Sequence, residues 1–177
     1  MANDKWTIDP AHSSIEFQVK HMMVSKVKGA FNDFEADVEM DLENLQEAKA
    51  NFKVKAASVD TRQPQRDNHL KSEDFFDVEK YPDVLFQSKE IIPKGDNEYD
   101  VKGDLTIRDV TNTIMFHLTY EGSGKDPNTG KMIAGFEITG KFNRKDFGLN
   151  YNAALETGGV LIGDEVKLDI QIEASKQ

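Results

Sequence analysis

Val166-Lys167-Leu168-Asp169-Ile170-Gln171-Ile172-Glu173-Ala174 alternates apolar and polar residues without a fault. A helix would scatter those five apolar side chains around its circumference. A strand puts them all on one face. A strand with one dry face and one wet face belongs to an antiparallel sheet, because parallel strands are buried on both sides. The same period recurs outward along the chain. Ile15, Phe17 and Val19 alternate with Glu16, Gln18 and Lys20, and Phe34, Ala36, Val38 and Met40 with Glu35, Asp37, Glu39 and Asp41. Ala50, Phe52 and Val54 share a parity, as do Tyr99, Val101, Leu105 and Ile107, and Ile114, Phe116, Leu118 and Tyr120. Seven to nine such strands follow from the pattern.

The punctuation between them predicts short meander connections. Pro93-Lys94-Gly95-Asp96-Asn97 reads as one turn, the stretch from Gly122 to Gly130 as another, and Gly158-Gly159 as a third. Residues 65–81 break the β pattern. Leu70, Phe75, Phe76, Val78 and Tyr81 are embedded in charge there, and Pro82 forbids helix at Tyr81. This segment reads as one or two short helical turns crossing outside the sheet.

The 177 residues amount to one domain, 1–177, with hydrophobic side chains at 38% to build its core. Lys and Arg total 22 against 32 Asp and Glu, a net charge of −10, which argues against nucleic acid or an anionic membrane as main partner. With no cysteine, disulfides, thiolate metal sites and Cys nucleophiles are excluded. No apolar run is long enough to span a bilayer as a helix, so no integral membrane segment is expected. The opening Met1-Ala-Asn-Asp-Lys-Trp6 has no apolar signal-like region, so the expected compartment is the cytoplasm.

Half-dry strands can bury their apolar faces as a two-sheet sandwich or a closed barrel. Eight phenylalanines fall on or near apolar faces, and Gly29, Gly103, Gly135 and Gly140 interrupt strands, where glycine often marks a barrel corner. Pattern alone leaves both architectures open.

Longer strings narrow the choice. Trp6-Thr7-Ile8-Asp9-Pro10-Ala11-His12-Ser13-Ser14 precedes Phe17-Gln18-Val19-Lys20-His21. Arg66-Asp67-Asn68-His69-Leu70-Lys71-Ser72-Glu73-Asp74-Phe75-Phe76-Asp77 precedes Tyr81-Pro82 and Phe86. Gly103-Asp104-Leu105-Thr106-Ile107-Arg108 and Arg144-Lys145-Asp146-Phe147-Gly148 close the series. In this order the motifs resemble those of the YceI-like family across essentially the whole chain. Asp109 stands where that family commonly carries glycine. The resemblance implies an all-β fold: a lipocalin-like antiparallel β-barrel of about eight strands with one or two short helical segments. It also implies non-covalent binding of a long-chain isoprenoid or fatty lipid, without catalysis and without a cofactor.

In such a barrel the inward parity makes a cavity wall of Ile15, Phe17 and Val19, then Phe31 and Phe34, then Phe52 and Phe86. Leu105 and Phe116 continue it, with Phe136 and Phe142, and finally Leu168 and Ile170. At roughly 25 cal/mol per Å², burying ~300 Å² of lipid would contribute about 7 kcal/mol before association entropy is subtracted. His21, Arg66, His69, Arg108 and Arg144 are the candidates for the mouth, where a few polar groups would fix a head group. Each has a blander alternative. His21 could simply bond a backbone carbonyl, and Arg66 with Asp67 could be an ion pair pinning the irregular segment to the barrel.

Other polar groupings carry less. His12 beside Asp9 and Ser13 reads as a turn-fixing group. His12, His21, His69, Asp9 and Asp67 lack any metal-ligand spacing, so no metal is expected. Asp146-Phe147-Gly148 shares only its letters with the kinase trio, and neither Gly124-Lys125 nor Gly130-Lys131 is a phosphate loop. Ser13 and Ser14 lack a nucleophile elbow, so no catalytic residue is assigned. Lys20, Lys26 and Lys28 read as a solvated basic face. Met22-Met23 beside Val24 reads as core packing, with a cavity lip or a homodimer contact as alternatives.

Overall fold

The computed structural model describes residues 3–153, 155 and 161–177; the expected Gly158-Gly159 turn lies outside them. The strand segments are β1 (Asp4–Ile8), β2 (Ser14–His21), β3 (Ser25–Phe31), β4 (Phe34–Met40), β5 (Lys49–Lys55) and β6 (Val59–Asp60). After helix α1 (Pro64–Lys71) come β7 (Asp83–Gly95), β8 (Glu98–Ile107), β9 (Val110–Lys125), β10 (Met132–Asn143) and β11 (Ile162–Lys176).

These segments make eight staves, because the first three are each broken in two. β1 and β2 lie along one edge of β11, separated by a 3-10 turn at Pro10–His12. Asn32-Asp33 divides β3 from β4, and the 3-10 turn Ala56–Ser58 divides β5 from β6. Pairing continues across every break: β2 with β3 and β1 with β4, then β4 with β5 and β3 with β6. Each stave therefore neighbours the next in the chain, all antiparallel, and β1 on β11 closes the barrel. Among the described strands only the two-residue β6 keeps an edge without a strand partner, and the closed ring settles barrel against sandwich.

Three phenylalanine–glycine pairs let the wall curve. A Cβ on Gly29 would stand 2.5 Å from Cζ of Phe17, one on Gly103 2.2 Å from Phe86, and one on Gly140 2.4 Å from Phe116. Each ring occupies the space that a side chain on its glycine would otherwise fill. Gly135 acts differently, at a register shift between β9 and β10 beside Phe136.

Two expectations about connections change. β9 runs through Gly122-Ser123-Gly124 to Lys125, so the turn into β10 is only residues 126–131. Residues 65–81 do not cross outside the sheet. α1 begins with Pro64 at its first turn, capped by the Gln63 side chain, which accepts the N–H groups of Gln65 at 2.7 Å and Arg66 at 3.0 Å. It then lies over one end of the barrel, and its Leu70 and, beyond its end, Phe76 pack against Ile15, Phe31, Val54 and Val59. The opposite end is filled by Trp6, which is buried with Met40, Leu45, Phe136 and Ile172 and donates its indole N–H to the Met40 carbonyl at 3.2 Å.

Candidate functional site

Between the Trp6 cluster and α1 the barrel encloses a cavity of about 590 Å³, within the roughly 300–1,000 Å³ usual for small-molecule sites. Its wall is aliphatic and aromatic nearly throughout. Ile8, Met40, Leu45 and Ala174 line the end near Trp6, and polar groups gather at the other: Gln63, Gln65, Arg66 and His69 from α1, His21 from β2, and Arg144 and Tyr151 after β10. An apolar shaft with polar groups at one end suits an elongated apolar molecule with a single polar terminus.

Twelve of the thirteen residues assigned to the wall from strand parity line this cavity. Phe34 does not. It has the inward parity, but it starts β4 immediately after the Asn32-Asp33 break and packs against the Ile15–Phe31–Val54–Val59 cluster instead. Of the five mouth candidates, His21, Arg66, His69 and Arg144 line the cavity and Arg108 does not. Arg108 occupies the two-residue turn between β8 and β9 at φ 59°, its guanidinium over the Tyr81 ring and 3.4 Å from the Phe75 carbonyl oxygen. That turn also accounts for Asp109: the left-handed backbone is at 108, so 109 has no need of glycine.

Two of the mouth arginines are engaged by the fold. Arg66 donates from Nε to the Thr61 hydroxyl at 2.8 Å and from a terminal nitrogen to the Thr61 carbonyl at 2.9 Å. Asp67 accepts from the Thr61 N–H at 2.8 Å and its hydroxyl at 2.6 Å. The pinning expected of Arg66 and Asp67 thus passes through buried Thr61 rather than through an ion pair between them. Arg144 is 3% exposed and donates to the carbonyls of Gly163 at 2.9 Å, Ile162 at 3.4 Å and Leu149. Burial pushes its pKa down from the usual guanidinium range, opposed in part by nearby Asp164. Asn152 adds a second tie, exchanging hydrogen bonds with the Ile162 backbone at 2.7 and 3.0 Å. Together they hold the segment after β10 against the start of β11.

His69 packs edge-on to Phe75 and Tyr151 while its Nε2 meets Asp74 at 2.8 Å. His21 points into the cavity, and among the described residues its ring has no hydrogen-bond partner. Strand parity could not have found Gln63, Gln65, Phe75 or Tyr151, which sit outside the strands; only the apolar residues set among charges at Leu70, Phe75 and Phe76 gave a signal.

Outside the cavity, Asp9, His12 and Glu173 bring their ligand atoms within 4.8 Å of one another. His12 Nδ1 lies 2.8 Å from Asp9, whose other oxygen caps the turn by accepting the Ala11 N–H at 2.9 Å, the turn-fixing arrangement the sequence suggests.

With this geometry in view, comparison with known proteins is direct. The YceI-like domain matches residues 6–174. The chain belongs to the YceI-like family. A UPF0312 protein of Staphylococcus aureus (strain N315) is 43% identical over 170 residues, 96% of either chain. Among solved structures, Burkholderia cenocepacia BcnA superposes with TM-score 0.82 at 26% identity, covering 94% of this chain and 98% of that one. The Campylobacter jejuni YCEI protein gives 0.77 at 34%, covering 89% and 90%. A polyisoprenoid binding domain from Saccharophagus degradans gives 0.69 at 12%, covering 97% and 98%, a likeness of fold alone. Among the described residues no helix is long and apolar enough to cross a membrane.

Proposed function

We propose that this YceI-like barrel binds a long-chain isoprenoid or similar lipid non-covalently, and carries, buffers or senses it without transforming it. The observation that supports this reading is the apolar shaft, lined almost wholly by aliphatic and aromatic side chains with its charged and amide groups gathered at one end. An apolar chain gains by leaving water for such a shaft, and no directional chemistry is needed along it. The polyisoprenoid binding domain from Saccharophagus degradans has the same barrel fold. The mouth groups favour binding over catalysis, since Arg144 is held by backbone carbonyls and Arg66 by Thr61, and neither is poised to act on a bond.

His21, Lys20, Gln65, Tyr151 and Arg66 are lining groups available to meet a polar head. The test is to purify the protein without detergent, extract it with organic solvent and identify what is released by mass spectrometry. A stoichiometric prenyl or acyl compound supports the proposal. A clean extract, with no prenyl or acyl lipid raising the melting temperature on addition, overturns it.

A further inference from the structure

The hairpin joining β2 to β3 ends in an apolar tip that the core does not use. Met22 is 45% exposed, Met23 54% and Val24 85%, where the sequence pattern suggested core packing. Met22 and Met23 adopt φ values of 53° and 64°, and the Val24 N–H donates to the His21 carbonyl at 3.2 Å. This is the mirror-image turn that usually holds Asn and Gly. Two methionines at these positions strain the backbone and expose apolar surface at once, and neither choice aids folding.

The tip is also next to the cavity mouth. His21 and Lys20 line the cavity, and the Met22 N–H donates at 2.8 Å to the carbonyl of Leu161, itself a lining residue. Its charge differs from that of the rest of the molecule. Residues 17–32 contain three lysines and no carboxylate, in a chain with 32 acidic residues. Lys20 sits directly across the hairpin from Lys26, and Lys28 across from Gln18. Like charges placed opposite one another repel. Among the described residues none of these three lies within ion-pairing distance of a carboxylate, whereas Lys55, Lys89, Lys94 and Lys102 do.

We propose that this hairpin is a membrane-docking tip: Met22, Met23 and Val24 enter the interface of a bilayer containing anionic phospholipid, while Lys20, Lys26 and Lys28 meet its phosphates. With three positive charges in residues 17–32, the rest of the chain carries 19 Lys and Arg against 32 Asp and Glu, a net −13, and that asymmetry turns the tip toward the surface. Apolar residues ringed by lysines are the interfacial pattern, and three lysines with one small apolar tip make the contact reversible and salt-sensitive. Docking stands on the tip alone. Its use, setting the mouth against the membrane so that a lipid can pass, rests on the lipid-binding reading above.

The experiment is co-flotation with vesicles of equal parts phosphatidylglycerol and phosphatidylcholine, against phosphatidylcholine alone, at low and high salt. The intact protein should float with the anionic vesicles at low salt only. M23D/V24D and K26E/K28E should each weaken partitioning roughly tenfold or more, with circular dichroism and melting temperature confirming that they fold. The chain has no cysteine, so V24C carrying an environment-sensitive dye reports insertion directly by a blue shift. Equal partitioning of variants and parent, no flotation, or no blue shift would overturn docking. So would a dimer in light scattering that M23D/V24D dissolves, since the tip would then be a contact between copies. Prenyl lipid uptake measured without vesicles separates the two readings: uptake without flotation sinks only docking, and flotation without uptake sinks only the lipid cavity.

Discussion

The ring of Phe17 lies on the bare backbone of Gly29 in the next strand, so close that a Cβ there would stand 2.5 Å from Cζ and 2.9 Å from a Thr61 methyl. The two residues are cross-strand partners. The glycine thus accounts for where an aromatic side chain of the cavity wall points. Gly29→Ala should destabilise the protein by about 1–3 kcal/mol through overpacking. The double variant with Phe17→Leu should recover most of that loss, measured as the midpoint of guanidinium unfolding.

Arg144 is a buried cation whose partners are carbonyl oxygens. Arg144→Ala would leave several of them unsatisfied, at about 1–3 kcal/mol each. A loss of roughly 3 kcal/mol or more is expected, with Arg144→Lys restoring little, because an ammonium cannot reach three carbonyls in fork geometry. Thermal melting with hydrogen exchange should show early opening of the residues that follow β10.

Thr61 takes four hydrogen bonds that bind α1 to the barrel. Thr61→Val keeps the shape and removes the hydroxyl, leaving Asp67 and Arg66 each one partner short. A cost of about 1–3 kcal/mol follows, and limited proteolysis should cut near α1 sooner than in the parent. Unchanged cleavage would show that α1 is held by its apolar contacts alone.

Leu118 lines the cavity midway along β9 and is only partly buried. Leu118→Trp fills space without opening any. Displacing even ~60 Å² of bound lipid would cost roughly 1.5 kcal/mol, about tenfold in affinity. Lipid uptake should fall while stability holds or rises; Phe34→Ala should instead lower stability, since Phe34 packs against the Ile15–Phe31–Val54–Val59 cluster without lining the cavity.

His117 on β9 lies 3.0 Å from Glu98 and 3.5 Å from Asp100, and the hydrogen bond its ring donates to Glu98 raises its pKa above the ordinary histidine value. A raised folded pKa contributes stability that is full below the unfolded value of about 6.5 and lost as pH climbs through the folded one. His12 is raised likewise, chiefly by its hydrogen bond with Asp9. Proton NMR titration should place both above 6.5, and Glu98→Gln should lower His117 without moving His12.

The sequence by itself determined the strands, their inward faces and most of the cavity wall. In Ile15-Glu16-Phe17-Gln18-Val19 or residues 166–174, neighbouring side chains must point to opposite sides of a sheet, and only one set can leave water. The motif strings from Trp6 to Gly148 carried the family as well. Other features depended on contacts between residues far apart in the chain. Phe34 has the right parity and misses the cavity because a break in the stave turns it toward Phe31 and Val54. Arg108 belongs to a matching motif and faces Tyr81, while Arg144, which opens another matching motif, is buried and donates to the carbonyls of Leu149, Ile162 and Gly163. Met22 and Met23 read as core and stand in solvent, because the 22–24 turn projects beyond the strands it joins. Periodicity reports which side of a strand is dry; which residues meet across the barrel end is decided only when irregular chain closes over it, and local pattern holds no record of that closure.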